Sequence, residues 1–114
     1  SAMLGNVGGD RNVAIGYEAM DYGDQNDCVA IGHQSLVYNA AGTNNVGIGY
    51  RTLFTNTASN NTAVGHLALR CNTTGIYNTG VGKGSLQANT VGIYNTGLGG
   101  NSLLSALFMR IKKS

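Results

Sequence analysis

The chain contains no proline and no tryptophan, has two cysteines, and is only 11% charged. Its 18 glycines follow no Gly-X-Y period, which excludes a collagen helix. So low a charge, set against 42% hydrophobic residues at regular spacing, excludes a disordered linker. No apolar run approaches the roughly 18 residues of a membrane span. Acidic residues are missing after Asp27, whereas six of the seven bases lie beyond them. Stacked in order, such a chain has an acidic pole and a basic one.

Two cysteines allow at most one disulfide. Cys28 precedes its nearest repeat glycine by four residues and Cys71 follows its own by six. That offset, more than two repeats apart, works against Cα atoms within about 7 Å. Both are read as free small residues, and no Cys/His spacing suits a metal.

What is present is a repeat. The segment NTAVGHLAL (61–69) returns with variations at 12–20, 28–36, 45–53, 78–86 and 95–103. The anchors Gly16, Gly32, Gly49, Gly65, Gly82 and Gly99 are 16, 17, 16, 17 and 17 residues apart. A fixed period of this kind predicts a solenoid with one coil per repeat. The domain reading is therefore an N-terminal tag scar and cap over 1–11, a six-coil repeat domain over 12–103, and a C-terminal cap over 104–114.

Three residues before each anchor stand Val13, Val29, Val46, Thr62, Thr79 and Thr96, and just before it Ile15, Ile31, Ile48, Val64, Val81 and Leu98. Between them lie Ala14, Ala30, Gly47, Ala63, Gly80 and Gly97. A period of two predicts a strand buried on both faces, with a second backbone approaching its small face. The glycine reads as a corner that needs positive φ or close approach. Met20, Leu36, Leu53, Leu69, Leu86 and Leu103 then re-enter the core.

Four residues before the anchors come Asn12, Cys28, Asn45, Asn61, Asn78 and Asn95. Coils stacked about 4.8 Å apart place these amides in hydrogen-bonding reach along a column. One thin coil per turn has a poor core, and ordering glycine costs on the order of 1–2 kcal/mol per residue. The Ala/Gly row offers a face on which three copies meet, so a homotrimer is expected. Beyond residue 103 the period becomes helical, with Leu104, Leu107, Phe108 and Ile111 after a Ser102 N-cap, which predicts a short helix.

Catalytic, cofactor and metal residues are not assigned. His33 and His66 share the position after the anchor with Tyr17, Tyr50, Lys83 and Gly100, and read as exposed corners. The Gly-x-Gly pairs arise from the repeat and lack a dinucleotide-binding helix. Two sequons, at Asn60 and Asn72, are what an Asn/Thr-rich repeat produces by chance. A Thr62, Thr79 and Thr96 column evokes an ice-binding solenoid but covers three coils, the rest of it being Val. Nucleic-acid binding is not expected, because the bases do not cluster with the aromatics. Tyr17, Tyr50, Tyr77 and Tyr94 are the candidate partner-binding residues; the last two share one position in successive GIYNTG segments.

The segments NVAIGYEAM (12–20) and NTAVGHLAL (61–69) resemble repeats of trimeric autotransporter adhesin heads, and more closely those of phage and giant-virus fibre proteins. The resemblance spans residues 12–103. It implies a left-handed parallel β-roll (solenoid), homotrimeric, with aliphatic residues inside each coil and small residues near the threefold axis. It also implies a non-enzymatic structural part of a virion or surface fibre, or an adhesin head recognising a glycan or host protein. The corresponding location is the virion or cell surface.

Overall fold

The structure is a computed structural model in which residues 9–103 are described. The expected helix over 104–114 and residues 1–8 of the expected cap lie outside them. Six strands, β1 (Val13–Ile15), β2 (Val29–Ile31), β3 (Val46–Ile48), β4 (Thr62–Val64), β5 (Thr79–Val81) and β6 (Thr96–Leu98), form one parallel sheet in chain order. Equivalent residues pair throughout, Val13 with Val29, Gly47 with Ala63, Val81 with Leu98. The chain is thus an all-β parallel solenoid of about five turns, without a helix among the described residues.

The strands face the opposite way from the expectation. Ala30, Gly47, Ala63, Gly80 and Gly97 point into the coil and are buried, while the Val, Ile, Thr and Leu positions point outward. The reason is space. The coil interior already holds Met20, Leu36, Leu53, Leu69 and Leu86, all fully buried, beside a Ser/Thr/Ala column. A Cβ on Gly47 would lie 2.6 Å from Ser35 Oγ and 2.8 Å from Thr52 Oγ1. Where that column shrinks to Ala19 or Ala68, the strand residue grows to Ala14 or Ala63; where it is Thr52, Ser85 or Ser102, the strand residue is glycine. Ser35, facing Ala30, departs from the rule.

The corner glycines behave as expected. Gly32 has φ of +129°, and a Cβ there would sit 2.6 Å from the Gly49 carbonyl oxygen of the next coil. Neither the conformation nor the contact admits a side chain.

Three further left-handed positions occur in every coil. They are the residue before the ladder asparagine, the second residue after the anchor, and the inward Leu or Met. Leu36, Leu53 and Leu69 have φ of 53°, 49° and 51°. All 17 non-glycine residues with positive φ fall in these three columns, and none is β-branched. Valine, isoleucine and threonine abound elsewhere, but their branched Cβ makes the left-handed region a genuine outlier. The inner column is therefore Leu or Met.

Two amide columns hold the coils together. In the anticipated one, Asn45 Oδ1 accepts the backbone N–H of Asn61 at 2.9 Å, and Asn61 and Asn78 repeat this one coil on. The Nδ2 groups donate to main-chain carbonyls, that of Asn61 to Gly75 at 2.8 Å. These amides bond backbone rather than one another, because each must satisfy a peptide N–H at a corner. Amide-to-amide bonding occurs in a second column, three residues after the inward Leu. There Asn56 Nδ2 donates to Asn39 Oδ1 at 3.1 Å, Asn72 to Asn56 at 2.8 Å, and Asn89 to Asn72 at 2.9 Å.

Candidate functional site

Among the described residues the outward strand face is exposed along the stack. Val13 is 46% exposed, Ile15 58%, Ile48 37% and Leu98 69%, on a sheet three residues wide. Thr62, Thr79 and Thr96 continue the Val13, Val29 and Val46 column, so hydroxyl and aliphatic rows share the face. Polar solvent gains nothing from such a row of β-branched side chains, and contiguous exposed apolar surface marks an interaction site.

Aromatic rows border this face on both sides. After the strands, the rings of Tyr17 and His33 lie 5.0 Å apart, those of His33 and Tyr50 5.4 Å, and those of Tyr50 and His66 5.1 Å. Before the strands, Tyr77 and Tyr94 stack at 5.1 Å with planes 4° apart. The four candidate tyrosines therefore belong to two separate rows at opposite borders of the strand face. Both histidines, as anticipated, are exposed corner residues; His33 lies between the rings of Tyr17 and Tyr50, and His66 stacks on Tyr50.

The corner beside the first row carries a chain of polar contacts up the stack. Gln34 Nε2 donates to Glu18 Oε1 at 2.6 Å, and Arg51 Nε donates to Gln34 Oε1 at 2.8 Å. Near the acidic pole Arg11 pairs with Asp27 at 2.6 Å. The hydrogen bond to Arg11 holds the Asp27 carboxyl below its usual range, and that to Asp27 raises the Arg11 guanidinium. Asp10, Glu18, Asp21, Asp24 and Asp27 all lie within the first two coils, so the acidic pole is real.

Cys28 is buried and Cys71 partly so, and both are free. Burial raises the Cys28 thiol above its ordinary range, against the opposing hydrogen bond from the Asn45 backbone. Asn72 is fully buried and spends its Nδ2 on Asn56 and Gly75, so the folded chain cannot present that sequon for glycosylation. Among the described residues no group of three His, Cys, Asp or Glu side chains forms a metal site, and no helix is long and apolar enough to cross a membrane.

Sequence reasoning missed the second asparagine column and the orientation of the strand face. The column had a signal, the fixed interval from Leu36, Leu53, Leu69 and Leu86 to Asn39, Asn56, Asn72 and Asn89. Comparison with protein-family models, with curated proteins and with solved structures finds no match for this chain. The functional reading therefore rests on the geometry of the solenoid.

Proposed function

We propose that this chain is a non-enzymatic structural module, three copies of which assemble as left-handed rolls into the shaft or head of a virion or cell-surface fibre. The observation that carries this reading is the outward Val/Ile/Thr face of β1–β6, whose Ile15–Ile31–Ile48–Val64–Val81–Leu98 column is aliphatic along the whole height of the sheet. Burying it removes apolar area from water at about 25 cal/mol per Å². The face alone, about 10 Å wide and 24 Å tall from strand geometry, offers much less than the roughly 800 Å² per partner of a stable interface. The bordering Tyr17–His33–Tyr50–His66 and Tyr77–Tyr94 rows widen it and take part in the contact. The small residues that were expected at the threefold axis instead keep each coil narrow, and the β-branched residues meet there. Using both histidines as rungs of a ring column favours a structural role over a catalytic one.

Ile48→Lys, placed at mid-height on the strand face, tests this directly. It should convert the assembly to single chains by light-scattering mass, while Thr74→Lys on another exposed side should leave the mass unchanged. Equal behaviour of the two variants would remove the strand face from the account.

A further inference from the structure

Past the Gly49 corner from the strand face, the ring of Phe54 carries two cations from adjacent coils. The Arg51 guanidinium carbon lies 5.0 Å from its centroid and that of Arg70 lies 6.0 Å away. Arg51 also covers Tyr50, at 5.3 Å. On the acidic-pole side, Tyr38 meets Phe54 edge-on at 5.3 Å and stacks on Tyr22 at 5.5 Å with planes 5° apart. Tyr22 and Tyr38 are each 50% exposed. The result is an aromatic ledge with two half-exposed phenol rings at one end and two guanidinium groups at the other.

The cations are held in place but not neutralised. Arg51 spends its Nε on the neutral Gln34 amide, and among the described residues the polar contact of the Arg70 guanidinium is one of 3.9 Å from Nη1 to the Cys71 sulfur. No carboxylate pairs with either among the described residues, the ion pair there being Arg11 with Asp27. Glu18 is reached only through Gln34. Cation–π packing fixes both groups without consuming their hydrogen-bonding edges. Arg51 through its Nη pair and Arg70 through its fork suit carboxylates, which guanidinium binds in bidentate fashion. The adjoining phenol rings supply apolar faces and hydroxyls of the kind that pack against sugar rings. Charge complementarity and this aromatic flank together select the ligand class.

We infer that the Tyr22–Tyr38–Phe54 ledge with Arg51 and Arg70 is a binding site for a carboxylated glycan, a chain of uronate-type sugars. The site goes beyond the structural role proposed above and does not depend on the assembly state, so its failure leaves that reading untouched. With no enclosing cleft among the described residues, binding by one ledge is weak and gains from repetition in an assembly.

The test uses the full chain and three probes: a galacturonic acid tetramer, the neutral galactose tetramer, and a glutamate tetrapeptide. Titration followed by NMR should show the acidic sugar shifting the Tyr22 and Tyr38 ring protons and the Arg51 and Arg70 Nε–H signals. The neutral sugar and the peptide should bind at least about tenfold more weakly. Arg51→Lys and Arg70→Lys each keep the charge but lose the fork, and should each weaken acidic-sugar binding by about tenfold with unchanged circular dichroism. Binding should also fall as salt rises, because the charges are exposed. Equal affinity for the neutral sugar, equal affinity for the peptide, shifts that map elsewhere, or no binding of the acidic sugar would each overturn the proposal.

Discussion

The sulfur of Cys28 receives the backbone N–H of Asn45 at 3.5 Å, the place that asparagine Oδ1 takes at 2.9 Å for Asn61, Asn78 and Asn95. Its S–H lies 3.3 Å from the Asn26 carbonyl and 3.6 Å from that of Gly42, the latter in the place where Asn61 Nδ2 reaches the corresponding Gly75 carbonyl at 2.8 Å. One thiol thus fills both roles of a carboxamide, with a weaker donor and a weaker acceptor.

Cys28→Asn should therefore stabilise the chain by about 1 kcal/mol, or roughly 4–8 °C in Tm for a domain of this size. Thermal unfolding followed by circular dichroism checks this. A pH series adds a second readout. The folded-state thiol titrates above its unfolded value, so its stabilising share is complete below the unfolded value of about 8.5 and is lost as pH rises through the folded one. The unsubstituted chain should lose Tm above about pH 8.5 relative to Cys28→Asn, and the two should run parallel below it.

Leu53 is fully buried with φ of 49°. Leu53→Ile keeps the volume but branches Cβ in a left-handed conformation, and should cost about 1–3 kcal/mol. Leu53→Met, whose side chain is unbranched and already occupies the equivalent position 20, should cost under about 1.5 kcal/mol. Urea unfolding of the two variants gives the comparison. Equal losses would mean that shape in the core, rather than backbone conformation, selects leucine.

Gly47 faces Ser35 and Thr52 at the distances of a clash for any added Cβ. Gly47→Ala should destabilise by about 1–3 kcal/mol through overpacking. Thr52→Ala should recover part of that loss, since Ala63 with Ala68 already shows that an alanine pair fits one coil. A double-mutant cycle measures the coupling. Independent, additive effects would contradict the inward placement of the small strand residues.

The coil period, the strand positions and the corner glycines were legible because each is written six times at a spacing of 16 or 17 residues, and Gly16 to Gly99 needed no tertiary information. Which strand face turns inward was not. Val46-Gly47-Ile48 has apolar residues on both faces, so alternation alone leaves two orientations. The deciding fact, that Leu36, Ser35 and Thr52 already fill the interior opposite Gly47, involves two coils. The left-handed columns did leave a trace, the absence of β-branched residues at positions such as 36, 53 and 69. The Phe54 ledge was not legible, although Phe54 and Arg70 share the column after the inward Leu; Arg51 comes from a different column and meets them only once the register of neighbouring coils is known.

Sedimentation equilibrium of the unsubstituted chain over a range of concentrations tests the central claim most directly, that the outward Val/Ile/Thr face exists to be covered by further copies. The account predicts a mass of three times the 11.8 kDa of one chain, falling toward a single chain only on dilution. A mass of 11.8 kDa at every concentration would contradict it, leaving the exposed aliphatic strand face without the partner on which the fibre reading depends.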